Sequence, residues 1–280
     1  MPDQPLPSAA SAASAGSTTA LPHLRVERPA PGVVRLVLDN PDQRNAMSAP
    51  MTESWTTALD QVRADDSVRV VVVTGEGSAF CSGGDTSWIA SEPDAGVDRL
   101  RTRMIAFYRA WLDIRSLEVP TIAAVNGAAI GAGLCVALAC DLRYAAEGAK
   151  LGAPFVKLGM NPGMASTYLF PDVVGRAHAR ELLLTGRLVQ GEEAVRLGLV
   201  SRVLPREELA AAVQQVAEEI AATAPIASKL TTLALRSGHP DLEACVQWEA
   251  MAQPITLATE DLQEGIRAAR EKRDPVFRGR

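Results

Sequence analysis

The run Leu134-Cys135-Val136-Ala137-Leu138-Ala139-Cys140 carries no polar side chain, and the chain enters it through Asn126-Gly127-Ala128-Ala129-Ile130-Gly131-Ala132-Gly133. A helix that is apolar on every face has no side to turn toward water, so it must lie wholly inside the protein. Its first N–H groups lack partners within the helix, and burial denies them water. The glycines in front let another backbone or a ligand approach them closely. Such a helix start suits developing negative charge, because the helix dipole favours an anion there. The plainer reading is that glycine only permits a tight bend.

A second glycine turn, Phe80-Cys81-Ser82-Gly83-Gly84-Asp85, follows Val68–Thr74, a continuous apolar run that reads as a strand buried on both faces. Thr121–Val125 and Leu142–Ala145 read as further strands, and Leu24–Glu27 pairs with Val33–Leu38 across Pro29-Ala30-Pro31-Gly32. Ser48 is placed to cap a helix that begins near Pro50. Strands alternating with helices predict an α/β protein with mainly parallel sheet. Beyond Arg176 the spacing predicts helices over Ala177–Leu184, Gly191–Leu197, Arg206–Ala222, Pro225–Arg236 and Leu242–Lys272, the last broken at Pro254.

Composition excludes several classes. A net charge of −5 lacks the basic field of a nucleic-acid binder. Cys81, Cys135, Cys140 and Cys245 show no CxxC spacing, and His23, His178 and His239 lie far apart, so neither a metal site nor a disulfide framework is expected. The longest apolar stretch, around Ala128–Cys140, is too short to span a bilayer. Residues 1–20, rich in Ala, Ser, Pro and Thr, read as a disordered tail without the features of a signal peptide, and a cytoplasmic location is expected. Residues 21–200 then form the core domain and 201–280 a helical C-terminal region. Gly131-Ala132-Gly133-Leu134-Cys135-Val136 lacks the third small residue of a dinucleotide-binding turn, and no GxxxxGK[ST], HExxH or GxSxG motif occurs.

Taken in order, Asn40–Ser48, Ala79–Asp85, Val125–Asp141, Lys157–Met160 and Glu260–Arg280 resemble the crotonase superfamily, the enoyl-CoA hydratase/isomerase family, over about residues 24 to 280. The resemblance implies a crotonase-like spiral of ββα units and a helical C-terminal trimerisation region, with self-association to a homotrimer or hexamer. It implies an acyl-CoA thioester as ligand, with coenzyme A part of that ligand and no separate cofactor. It places the carbonyl-polarising N–H groups, the oxyanion hole, on Gly84 and Ala132. Arg44 and Ala46 fall in the loop that meets the adenosine portion of coenzyme A, where a guanidinium can grip phosphate by two hydrogen bonds. Lys272 and Phe277, with Arg278, fall at tail positions that approach coenzyme A, sometimes from a neighbouring subunit. The remaining candidate substrate contacts are Ser82, Asp85, Phe155 and Asn161.

The same match exposes a departure. The two glutamates of family hydratases correspond to Cys135 and Phe155, and a third acidic position used in other branches corresponds to Gly163. Hydration needs one group to take a proton from water and another to protonate carbon, and neither Phe155 nor a buried thiol serves. Asp85 reads as a brace for its loop, while Asn161, Ser166 and Tyr168 can orient water but are poor bases. Two readings follow: a lyase or isomerase of fatty-acid metabolism that relies on enolate stabilisation with an unconventional proton relay, or a non-catalytic acyl-CoA binder or carrier.

Overall fold

Four successive valines, Val70 to Val73, put branched side chains on both faces of one strand, and that strand becomes the centre of the protein. The computed structural model describes residues 16–280. Its elements are β1 (Thr18–Leu21), β2 (Leu24–Ala30), β3 (Val33–Leu38), α1 (Ala49–Arg63), β4 (Val70–Gly75), β5 (Ala79–Cys81), α2 (Thr86–Ile89), α3 (Val97–Leu112), β6 (Thr121–Val125), β7 (Ala128–Ile130) and α4 (Ala132–Ala139). They continue with β8 (Leu142–Ala146), β9 (Leu151–Gly152), α5 (Ser166–Thr185), α6 (Gly191–Arg196), β10 (Arg202–Leu204), α7 (Arg206–Ala221), α8 (Pro225–Ser237), α9 (Leu242–Leu257) and α10 (Glu260–Glu271).

The larger sheet has the order β1-β2-β3-β4-β6-β8-β10, antiparallel through β1, β2 and β3 and parallel from β3 onward. A smaller parallel sheet has the order β5-β7-β9. Each central strand of the first sheet, β4, β6 and β8, is followed after a short turn by one strand of the second, which makes the chain a spiral of repeated ββα units. Asn126 holds two of these turns together: its side-chain oxygen accepts from Gly75 N at 3.0 Å and its amide donates to Gly77 O at 3.1 Å. At Gly127 a Cβ would lie 2.1 Å from Ser78 O, so no larger residue fits.

Both faces of the large sheet are covered, as the apolar strands require. On one face Trp55 of α1 stacks on Trp111 of α3 with ring centroids 4.9 Å apart, over a core that includes Leu36, Val71, Val73 and Phe80. On the other, Leu209, Val213 and Ala217 of α7 pack against Val70, Val72 and Ile122. Helix α4 lies between the sheets and α5, and every one of its residues is buried. That outcome follows from its lack of a polar face.

Several boundaries differ from expectation. Residues 18–20, read as part of the tail, belong to β1; the expectation for residues 1–15 lies outside the described residues. Helix α9 runs through Pro254 to Leu257, and the break falls at Thr259, whose hydroxyl caps α10 by accepting from Leu262 N. A proline removes one intrahelical bond, and here the flanking turns carry the helix past it. Helix α5 begins at Ser166, and the start expected near Ala177 is its second half, beyond a kink at Gly175 (φ 75°). Helix α3 was not anticipated at all.

Helix α8 is pinned to the core through Arg236. Its guanidinium grips Asp141 by two bonds, at 2.7 and 2.6 Å, and also donates to the carbonyls of Arg115, Leu117 and Val119. Arg236→Met leaves Asp141 and these carbonyls without their donor. The expected loss is roughly 3 kcal/mol, the low end for removing one member of a buried pair, because Thr121 still serves Asp141. Urea unfolding of the two proteins measures it; an unchanged midpoint contradicts the assignment.

Candidate active site

The first glycine turn sits at the end of β5 and is laced to the loop that precedes α1. Ser82 N donates to Arg44 O at 3.0 Å, Met47 N donates to Gly83 O at 2.8 Å, and the Cys81 thiol donates to Asn45 O at 3.0 Å. Asn45 is fully buried in the left-handed region (φ 56°). Its amide donates to Glu76 O at 2.9 Å and Ala79 O at 2.8 Å, while its oxygen accepts from Asn40 N at 2.9 Å. A buried side chain with all these bonds fixes the loop, and so brings Arg44 and Ala46 beside Ser82 and Gly84. The Arg44 side chain is exposed and makes no ion pair among the described residues.

The second turn sits at the end of β7, which lies parallel to β5. Gly131 (φ 57°, ψ −121°) turns the chain into α4, in a backbone conformation that a side chain resists. The two turns touch backbone to backbone. A Cβ on Gly133 would lie 2.3 Å from Cys81 O, and one on Gly83 would lie 2.7 Å from Ile130 O and 3.4 Å from Ala132 N. Gly84 and Ala132 therefore stand at the same end of adjacent parallel strands. Among the described residues neither N–H donates a hydrogen bond to backbone or side chain. Ala132 opens α4, so its N–H has no intrahelical acceptor.

Two side chains wall this place. The Phe155 ring passes within 3.6 Å of where a Cβ of Gly131 would be, and the Ile89 side chain within 3.2 Å of the corresponding point on Gly84. Asp85 is adjacent but occupied: its carboxylate caps α2, accepting from Ser87 N at 2.8 Å and from the Ser87 hydroxyl at 2.6 Å. The Ser87 bond holds its pKa below the usual carboxylate range. Of the remaining candidates, Asn161 is exposed and donates to Pro162 O at 2.9 Å. Lys272 ends α10, and the Phe277 ring packs on Gly265 of the same helix. Asp261 accepts from Arg278 N at 2.7 Å and Gly279 N at 2.8 Å, so the tail forms a hook on α10 and its described partners lie there.

Cys135 and Gly163, which the sequence resemblance set against acidic positions, form a second group. Cys135 lies one helical turn beyond Ala132, fully buried, with its sulfur 3.9 Å from Gly163 O, and burial pushes its thiol far up from the ordinary value. A thiol in that state is a small apolar group. Gly163 is closed off by a residue that the sequence reading missed. A Cβ there would lie 2.4 Å from the Tyr108 hydroxyl, which α3 delivers to this spot. The recoverable signal was the spacing of Met104, Phe107, Tyr108 and Trp111, one face of a helix. Beside it, the Ser166 hydroxyl at the start of α5 is buried without a protein partner.

Asp85→Ala removes the cap of α2 and should cost about 1 kcal/mol at neutral pH. Because the folded pKa of Asp85 is depressed, its contribution is present above the unfolded value, near 3.9, and is lost as the pH falls through the folded value. The difference in urea midpoint between the two proteins should therefore shrink below about pH 4. A difference that does not depend on pH contradicts the capping role.

Comparison with known proteins agrees over nearly the whole chain. A family model described as enoyl-CoA hydratase/isomerase matches residues 28–280. A Thermus thermophilus relative whose name carries the words enoyl-CoA hydratase is 39% identical over 246 residues, 88% of this chain and 97% of that one. Rat mitochondrial methylglutaconyl-CoA hydratase is 34% identical over 254 residues, 89% of this chain and 80% of that protein. The crystal structure of an enoyl-CoA hydratase from Bacillus anthracis superposes with a TM-score of 0.86 at 34% identity, covering 92% of this chain and all of that one.

Proposed function

The chain belongs to the enoyl-CoA hydratase/isomerase family, and we propose that it binds an acyl-CoA thioester whose carbonyl oxygen is held between the N–H groups of Gly84 and Ala132. The observation that carries this reading is that these two N–H groups, both without a described acceptor, share one end of adjacent parallel strands whose turns are locked by the approach of Gly133 to Cys81. Two fixed donors stabilise an enolate or tetrahedral oxyanion more than the neutral carbonyl, and each such donor is worth about 3 kcal/mol in rate. Arg44, an exposed residue whose backbone carbonyl accepts from Ser82 N, suits a phosphate of coenzyme A, and Ala46 leaves room for the adenosine. Phe155 and Ile89 suit the acyl portion, which needs an apolar wall.

Coenzyme A enters as part of the ligand, and the reading needs no separate cofactor. Self-association to a trimer or hexamer is supported by apolar side chains left in water on the C-terminal helices, among them Leu235, Leu242 and Met251, which are 79%, 80% and 78% exposed. In such an assembly Lys272 and Phe277 are available to a neighbouring subunit's ligand. No helix among the described residues is long and apolar enough to cross a membrane, which fits the cytoplasmic location proposed. A non-catalytic acyl-CoA binder is the second reading. It is favoured by Cys135, whose buried thiol offers no general base where hydratases carry a carboxylate.

Cinnamoyl-CoA, whose absorption moves to longer wavelength when its carbonyl is polarised, tests the reading directly. Bound to the wild-type protein it should show that shift. Ala132→Pro removes one donor at a helix position where proline is well accommodated, and should abolish the shift while coenzyme A itself still binds. An unaltered spectrum in the variant removes Ala132 from the site. Turnover of some CoA ester by the wild type, reduced roughly 10²–10³-fold in the variant, separates the enzyme from the binder.

A further inference from the structure

Helix α2 is a single turn, Thr86–Ile89, too short to hold its own shape in water. Asp85 caps its start, and the carbonyls at its end need donors as well. Arg103 of α3 supplies them: its guanidinium donates to the Trp88 carbonyl and, at 3.1 Å, to the Ser91 hydroxyl. The same group lies over the Trp88 ring, with Cζ 3.8 Å from the ring centroid, and its Nη1 is 3.6 Å from Glu92 Oε1. The Arg103 side chain is only 14% exposed, and its described partners all fall within residues 88–92. One cation thus meets a ring, the backbone that ends α2 and an acid just beyond it.

Phe107, one turn further along α3, also meets the Trp88 ring, with 5.0 Å between centroids. Phe107 is buried and packs in turn on Trp111, so the clasp on Trp88 is tied to the core. Ile89 follows Trp88 directly and stands at Gly84: its Cδ1 and Cγ1 lie 3.2 and 3.8 Å from where a Gly84 Cβ would be. Holding Trp88 therefore holds an apolar side chain against one of the two residues whose N–H groups lack a described acceptor. A donor screened from water by hydrocarbon keeps its strength toward a ligand, because water competes for it and raises the local dielectric. A wall free to swing away would lose both advantages.

Resting on the reading of Gly84 and Ala132 given above, we propose that Arg103 is a positioning residue for the carbonyl-binding site, acting through Trp88 and Ile89 to keep water from the Gly84 N–H. The guanidinium works at a distance from the ligand, by fixing the short helix that carries the wall. Its charge is balanced by Glu92, which also pairs with Arg99. Lysine would keep the charge but lose the planar fork that covers the ring and reaches carbonyl and hydroxyl together.

Cinnamoyl-CoA and free coenzyme A, each titrated into the full chain, read the two ends of the ligand separately. Arg103→Met should bind coenzyme A as the wild type does and bind cinnamoyl-CoA roughly 2–10-fold more weakly, the worth of one hydrogen bond opened to water. At saturation its absorption should move back toward that of the free ester, and Arg103→Lys should fall between the two proteins. Ile89→Ala should give the same change as Arg103→Met. The two substitutions combined should do no more than either alone, because both remove one wall. An arginine that only stabilised the fold would lower the urea midpoint and leave the bound spectrum at the wild-type position. Should Arg103→Met fail to fold, Arg103→Lys compared with Ile89→Ala decides. A wild-type spectrum in the arginine variants, or effects of Arg103 and Ile89 that add, overturns this inference alone. A wild-type protein that binds cinnamoyl-CoA without the shift, or does not bind it, overturns the carbonyl-binding reading and this inference with it.

Discussion

The contact on which the rest of the architecture depends is the approach of α4 to the end of β5, where Gly133 lies against the carbonyl of Cys81. No side chain can enter that contact, so two main chains meet directly. It sets the separation of the small sheet from the buried helix and, through it, the positions of the Gly84 and Ala132 N–H groups. A buried helix start with unsatisfied donors is costly in an ordinary core. Here the cost is maintained by packing on every side of α4, which is the condition under which preorganised donors retain their strength toward a ligand.

Around that contact the polar groups do structural work. Asn45 joins the loop before α1 to the turn between β4 and β5, Asn126 joins successive turns of the spiral, and Asp85 caps α2. Each is a short side chain that satisfies backbone groups where the chain changes direction. Their chemistry is spent on the frame, and the groups left free at the proposed site are main-chain N–H donors, an exposed guanidinium, apolar walls and a phenol. That inventory is rich in donors and poor in acceptors, which suits it to stabilising an anion.

The long buried strands β4 and β6 were legible because each is a mainly apolar run, and α4 because it lacks a polar face. The short strands β5, β7 and β9 were not, since two or three residues hold no period to detect. Both glycine turns could be found in the chain, and so could the non-acidic residues Cys135, Phe155 and Gly163. Helix α3 was overlooked in spite of its spacing, and with it Tyr108, whose hydroxyl closes off Gly163. The boundary at Pro254 shows the opposite error, a local signal outweighed by the helix on either side.

By itself the sequence determined where the backbone bends and which elements have no face for water, because glycine and the apolar pattern act over a few neighbouring residues. It also showed that Cys135, Phe155 and Gly163 carry no carboxylate. Only the tertiary structure decided what stands there instead. Tyr108 reaches Gly163 through the packing of α3 on the core, and a meeting between residues so distant along the chain leaves no local pattern to read.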